Sequence, residues 1–499
     1  ACLVHGIDDG AGTGGFGGVF GSKNLKAISV IGTGSVEVAH PKELLEVWKW
    51  ATELKAGKAL RSRPAAAAGS PLAGGESLKR PVTCFACTAP SCQSKANSSE
   101  EEMAGSIGQC VERVFYVSQD TARHGKTTHA ERVATQLVHD YSINANQALD
   151  MLVWLESLHN RGLLGKGKQI DTDLDFDKLG TEEFVREYLR KLAYREGIGD
   201  ILAEGWVNAA AKWGVLEEDL QSGEISAIYW GVGHQHWSNN IVWAYLSLFG
   251  ARDCNAHDTT YGLTLEETAE RYAELAPPWH DPLMLNQSRD GVYSLSMARW
   301  VAWDSRFTSV KGTFPFCDYF QPDVFNEQTA DGKGISPEME ERFYTAVTGE
   351  KLSWEETLEI GRKIWNLNRA ILVLHGRHRD EEYFPPYPPY TSYVYSEGAP
   401  TLQSGGYTFR EEIDRIMRKS FEFKPLEVMQ YGICEDGKWS YATECFPLDK
   451  DKMDEFKTKY YNLEGWDAEK GWPTKNTLEN CGLGYVANTL EKQGVQLIP

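Results

Sequence analysis

The sequence predicts a mainly α-helical protein with a small β-containing amino-terminal part. Helical signals dominate after the first eighty residues, with candidate helices over roughly 128–139, 144–160, 181–195, 198–213, 264–275, 336–348 and 353–374. Alternation of apolar and polar residues is confined to residues 25–33, which read as a short strand. Glycines crowd Gly12 to Gly18 ahead of that strand, where a backbone without side chains can turn tightly.

In chain order, His40-Pro41 opens a helix to about Leu54, since proline suits a first helical turn. Residues 57–79 are rich in Ala, Gly, Ser and Pro and read as an exposed linker. The helix over 353–374 is the clearest. Ser353-Trp-Glu-Glu356 is a capping box, Ile360, Ile364, Leu367, Ile371 and Leu374 recur at helical spacing, and Gly376 stands where the helix should stop. Residues 385–392, rich in proline and tyrosine, read as an extended loop. Two short helical pieces, Thr477 to Cys481 and Tyr485 to Glu491, are parted by Gly482-Leu-Gly484, and no internal repeat is visible.

The 499 residues suffice for two or three cores, and 41% apolar with 24% charged residues is ordinary globular composition. A net charge of −20 argues against nucleic acid or an anionic membrane as partner. The longest apolar stretch, Ile241 to Ala251, is too short to span a bilayer. Ten cysteines are too sparse for a disulfide scaffold, so the expected compartment is the reducing cytoplasm. The start, Ala1 with glycines almost at once, reads as a processed product, a fragment or half of a split protein.

Cys84-Phe-Ala-Cys87-Thr-Ala-Pro-Ser-Cys92 carries the strongest chemical signal. Three thiolates on so short a loop are ligands for a metal or a cluster, completed by a fourth from elsewhere; structural zinc and an iron–sulfur cluster both fit. Glycines 14, 15, 17, 18 and 21, followed by Ser22-Lys23, leave backbone N–H groups able to approach an anion, without the order of a Walker loop. His234 and His236 have metal-like spacing but no carboxylate or cysteine nearby in sequence.

Four stretches in order resemble the tungsten-containing aldehyde:ferredoxin oxidoreductase family. They are Gly14-Gly-Phe-Gly-Gly-Val-Phe-Gly-Ser-Lys-Asn-Leu-Lys-Ala-Ile28, Cys84-Phe-Ala-Cys87, Ile360-Gly-Arg-Lys-Ile-Trp-Asn-Leu-Asn-Arg369, and the ending Leu463-Glu-Gly-Trp-Asp467 with Pro473-Thr474 and Gly482-Leu-Gly484. The resemblance implies that family's second and third domains, with most of its β-rich first domain absent. It divides the chain into a remnant of the pterin-binding β domain (1–40), a helix and linker (41–83), a helical domain with the cluster loop and active site (84–335), and a carboxy-terminal helical domain (336–499).

The same resemblance implies a tungsten bis-pyranopterin, or its molybdenum counterpart, and a [4Fe–4S] cluster. Gly14, Gly15, Gly17, Gly21, Ser22 and Lys23 would meet the pterin phosphate, with Thr13 where the family usually has arginine. Asp140 opens a degraded pterin signature, Asp140-Tyr-Ser-Ile-Asn144. Cys84, Cys87, Cys92 and Cys317 would hold the cluster, although the gap from Cys87 to Cys92 is one residue longer than usual and the pattern before Cys317 departs from the family's. Cys110 stands where a benzoyl-CoA-reductase-like relative places a tungsten-binding cysteine; Glu112 and His257 are the candidate proton-handling groups, with His124 a competitor.

The expected activity is oxidation of an aldehyde to a carboxylic acid, with electrons leaving through the cluster to ferredoxin or an iron–sulfur subunit. The alternatives are reduction of an aromatic acyl-CoA, for which Arg377, His378 and Arg379 are candidate phosphate contacts, and a pterin-poor electron-transfer or scaffold paralogue. An oligomer is expected, as is a further polypeptide supplying the missing amino-terminal segment.

Overall fold

The structure, a computed structural model, describes residues 3–5, 9–11, 16–56, 79–82, 93–96, 107–108, 115–222, 224–225, 228–229, 232–233, 241–250, 283, 286, 288–314, 338–382, 426–435, 438–446 and 449–499. It begins with a hairpin of β1 (Leu3–His5) and β2 (Asp9–Ala11), then α1 (Phe16–Ser22) and α2 (Pro41–Ala56). Strands β3 (Lys79–Val82), β4 (Gln93–Ala96) and β5 (Ile107–Gly108) form one antiparallel sheet in that order. Helices α3 (Val117–His124), α4 (His129–Asp140), α5 (Ala145–Asn160), α6 (Glu182–Tyr194), α7 (Ile198–Leu202), α8 (Trp206–Trp213) and α9 (Leu216–Ser222) follow. Beyond β6 (Ile228–Tyr229) and β7 (Val232–Gly233) come α10 (Ile241–Phe249), α11 (Leu295–Thr313), α12 (Glu338–Thr348) and α13 (Trp354–Leu374). The hairpin of β8 (Leu426–Glu435) and β9 (Lys438–Phe446) precedes α14 (Lys450–Glu464), α15 (Lys475–Asn480) and α16 (Gly484–Lys492). The fold is thus mostly helical with few strands, as expected. No helix among the described residues is long and apolar enough to cross a membrane.

The chain divides into two compact units: 1–36 with 59–225 and 232–235, and 37–58 with 226–231 and 236–499. In the first unit, side-chain caps set the helix starts. Thr128, Asn144 and Thr181 each accept a backbone N–H of the first turn, supplying partners that the helix cannot. Helix α4 packs on α6, and the core gathers Leu152, Trp154, Leu155, Phe184, Tyr188 and Leu189. The Trp154 indole N–H donates to buried Asp219 at 2.7 Å and its ring stacks on Trp213. The single helix expected over 198–213 is two, because Gly205 adopts φ +96°, which no α-helix contains.

In the second unit α11 is central, buried from Met297 through Lys311 at every position except Arg299 and Arg306. It is buried nearly all round, with Asp304, Ser305, Thr308, Ser309 and Lys311 among its buried residues, so its sequence shows no clean 3.6-residue apolar stripe and periodicity does not predict it. It packs against α13 and α14. The approach to α13 is so close that a Cβ on Gly361 would lie 2.0 Å from the Arg306 carbonyl oxygen. Around this crossing, Arg306 bonds buried Glu464 at 3.0 Å, the Trp365 N–H donates to Tyr460 Oη at 2.8 Å, and the Trp466 N–H donates to Asn366 Oδ1 at 2.8 Å. Ser353 and Glu356 form the predicted capping box at the start of α13.

Residues 25–33 are not a strand. An alternating pattern becomes a ladder only when a neighbouring strand supplies partners, and no strand among the described residues pairs with this segment.

Replacing Gly361 by Ala should destabilise the protein by ~3 kcal/mol or more, because backbone on the facing helix cannot give way as a flexible side chain does. Urea denaturation of G361A against wild type measures this.

Candidate active site

The three-stranded sheet frames the segments that bear the cysteines. Val82 at the end of β3 pairs with Gln93 at the start of β4, so the chain leaves and re-enters the sheet at neighbouring points on either side of residues 83–92. Ser94 then pairs with Gly108 in β5. Cys92 lies two residues before Ser94, and Cys110 two residues after Gly108. The sheet thus sets Val82, Gln93 and Gly108, the described residues that border 83–92 and 109–114, toward one of its ends.

Cys84, Cys87, Cys92, Cys110, Glu112, His257, Cys317, Gly14 and Gly15 themselves lie outside the described residues, as do His234 and His236. Among the described residues no group of three His, Cys, Asp or Glu could hold a metal ion.

The glycine segment is helical from Phe16 to Ser22 and leaves its helix through Asn24 at φ +54°. Lys23 N–H donates to Phe20 O at 3.1 Å and Ser22 Oγ to Val19 O at 2.8 Å, so these donors are already engaged locally, while the Lys23 side chain is exposed. A Cβ on Gly18 or Gly21 would meet nothing within 4 Å. Glycine inside a helix costs about 1 kcal/mol relative to alanine. Packing within this chain does not call for glycine at either position, which fits a surface that another group approaches closely.

Asp140 ends α4, is exposed, and accepts a hydrogen bond from Gln136 Nε2 at 2.8 Å. The turn after it places Ser142 at φ +53°, a left-handed conformation, and Asn144 caps α5.

Two acids in this unit carry signals that the sequence reading passed over. Asp120, fully buried, accepts from Thr128 N at 2.6 Å, Thr128 Oγ1 at 2.7 Å and His124 Nδ1 at 2.9 Å. A carboxylate only accepts, so His124 carries its proton on Nδ1 and keeps Nε2 for solvent or a ligand. The i, i+4 spacing of Asp120 and His124 was the legible sign. Asp150 on α5 has an Oδ2 sealed from solvent without a hydrogen-bond partner, and burial pushes its pKa up to about 7.

The arginines proposed for CoA phosphates are committed elsewhere. Arg377 is buried, donates to Gly250 O at 2.9 Å and lies 3.7 Å from Glu382; burial pushes its pKa down to about 9. Arg379 donates to Thr458 Oγ1 at 2.9 Å and to the Ala468 and Asp454 carbonyls. His378 is exposed beside Asp380 and Glu381. The basic cluster is thus a structural clamp.

Two measurements follow from these residues. Between the unfolded carboxyl value near 4 and the folded value near 7, the folded chain binds the extra Asp150 proton, so its stability falls as pH rises through that window. D150N should abolish this loss, worth on the order of 1–3 kcal/mol, when denaturant midpoints are compared at pH 5 and pH 8. G21A should raise thermal stability slightly, by up to ~1 kcal/mol, while lowering bound pterin in the purified protein.

The family model described as "Aldehyde ferredoxin oxidoreductase, domains 2 & 3" matches residues 21–483. Tungsten-containing aldehyde ferredoxin oxidoreductases of Pyrococcus horikoshii and Pyrococcus abyssi are 29% and 27% identical over 260 residues, covering 44% of this chain. The match spans only 40% of each of those relatives. Among solved structures, a chain of the active site complex BamBC of benzoyl coenzyme A reductase with 1,5-dienoyl-CoA is similar in fold, with a TM-score of 0.62 at 17% identity over 99% of this chain and 73% of that one. The match to the family's second and third domains extends over nearly all of the sequence, and the chain belongs to the aldehyde ferredoxin oxidoreductase family.

Proposed function

We propose that the chain is the catalytic part of a tungsten-pterin, iron–sulfur oxidoreductase that oxidises an aldehyde to a carboxylic acid and passes the electrons through a [4Fe–4S] cluster to ferredoxin in the cytoplasm. Within the family, the observation that carries this reading is the register that sets the strand leading to Cys110 beside the strand leaving Cys92. It supports an active segment held close to an electron outlet.

Aldehyde and water give acid, two electrons and two protons. When bound, the metal–pterin supplies the two-electron acceptor and the cluster supplies single-electron exits. The chain's own residues handle positions and protons. Cys84, Cys87, Cys92 and Cys317 would hold the cluster by their thiolates. Gly14, Gly15, Gly17, Gly21, Ser22, Lys23 and Asp140 would meet the pterin, and the open space around Gly18 and Gly21 fits such an approach. The Glu112 carboxylate takes a proton from the hydrated substrate, and the His257 imidazole, oriented by Asp253 or Asp258, relays one to solvent.

Cys110 supports a second reading, reduction of an aromatic acyl-CoA with its thiolate on the metal. That reading needs phosphate contacts other than Arg377 and Arg379, whose guanidinium groups are occupied.

The protein purified without oxygen should contain one tungsten and about four irons and reduce ferredoxin when given an aldehyde. C110A should leave the tungsten–sulfur shell unchanged by X-ray absorption, and E112Q should lower kcat by ~10²–10⁴-fold. A shell that loses one sulfur in C110A selects the acyl-CoA reading; iron without tungsten or molybdenum overturns both.

A further inference from the structure

We propose that the amino-terminus of α3, together with the Gln119 side chain, is a binding site for a carboxyl group, and that it receives the acid the enzyme makes. The assignment to the product rests on the reading above that the chain oxidises an aldehyde; the site itself rests on the groups that α3 leaves unsatisfied.

The first N–H groups of an α-helix have no partner within the helix, and a side chain at the N-cap usually supplies one. Helix α3 lacks that cap. Its N-cap residue is Tyr116, which makes no side-chain hydrogen bond to the first turn. The Tyr116 hydroxyl instead donates to Thr181 O at 3.1 Å and accepts the Gly180 N–H at 2.8 Å. Among the described residues, the N–H groups of Val117, Ser118 and Gln119 meet no acceptor. Ser118 is exposed, so a small solute can reach this end of the helix from solvent. Unsatisfied N–H groups at the positive end of a helix dipole attract an anion.

Gln119 points to a ligand independently. It is 7% exposed, and its Oε1 is sealed from solvent without a hydrogen-bond partner. Leaving such an atom unpaired costs about 1–3 kcal/mol. Gln119 is the third residue of α3, where a side chain leans back over the first turn and where glutamine commonly bonds the N-cap N–H. Here it makes no such bond, so an unpaired carboxamide and unpaired N–H groups share one end of the helix. The charged residues of α3 do not fill the site. Asp120 accepts from Thr128 N, Thr128 Oγ1 and His124 Nδ1, beyond the opposite end of the helix, and Arg123 donates to the Asp177 and Leu179 carbonyls.

This combination selects a carboxyl group over a halide. Carboxylate oxygens accept from the N–H groups and from Gln119 Nε2, while the hydroxyl of the protonated acid, or of the hydrated aldehyde before it, donates to Gln119 Oε1. A halide has no donor for Oε1. In sequence, α3 begins five residues after Glu112, the candidate base of the reaction.

Acetate is the probe, titrated into the purified protein and followed by amide hydrogen exchange against chloride at equal ionic strength. Saturating acetate should slow exchange at Val117, Ser118 and Gln119 by at least ~10-fold, and chloride should not. S118D alters an exposed position and brings a carboxylate to the second helical residue, where an acid stabilises the helix. It should slow the same amides without acetate and weaken acetate binding by at least ~10-fold. Q119M, which removes the carboxamide, should weaken acetate binding several-fold and leave the amides fast. No acetate effect at 117–119, an equal effect of chloride, or acetate binding unchanged in S118D overturns the proposal. Acetate protection in a protein that oxidises no aldehyde keeps the carboxyl site and sinks its assignment to the product.

Discussion

The second unit depends on one close contact, the crossing of α11 and α13 at Gly361. With no Cβ between them, α13 rests directly on the Arg306 carbonyl. That proximity lets Trp365, Asn366 and Arg369, the next turns of the same helix, reach α14 and the chain beyond it. Arg369 donates to Gly471 O at 2.8 Å and pairs with Glu382, which also accepts the Tyr461 hydroxyl. Glu382 and Arg369 are both shut away from water, so each requires the other: removing one partner of such a pair typically costs 3–5 kcal/mol, far more than an exposed pair is worth. Within the run from Ile360 to Arg369, Gly361 is set by packing, and Trp365, Asn366 and Arg369 by buried hydrogen bonds.

The same principle disposes of the basic cluster after α13. Three consecutive residues, Arg377, His378 and Arg379, look in sequence like a solvated anion site. In the fold Arg377 donates to the Gly250 carbonyl and lies 3.7 Å from Glu382, and Arg379 donates to the Ala468 and Asp454 carbonyls. Linear sequence reports the charge but not the direction it points, and burial decides the matter.

In the first unit the arrangement that matters for chemistry is a sheet register. Antiparallel pairing converts sequence separation into proximity: Gly108 sits beside Ser94 although thirteen residues divide them. The Asp140–Asn144 turn makes a related point, since Ser142 holds a left-handed backbone conformation that glycine would adopt without strain.

Much of this was legible in the sequence. Local interactions alone determined the helices with caps and stripes, 129–140, 145–160, 182–194 and 354–374, because a capping side chain and an apolar face are properties of a single segment. The cysteine spacing likewise sets the expectation of a metal or cluster, since thiolates that close on a short loop can share one centre. Only the tertiary structure decided the rest. It made α11 a helix by surrounding it, engaged Arg377 and Arg379 with carbonyls far along the chain, and among the described residues left 25–33 without the partner that a strand requires. Each of these depends on what a distant part of the chain places alongside, and that neighbour is not encoded within the segment itself.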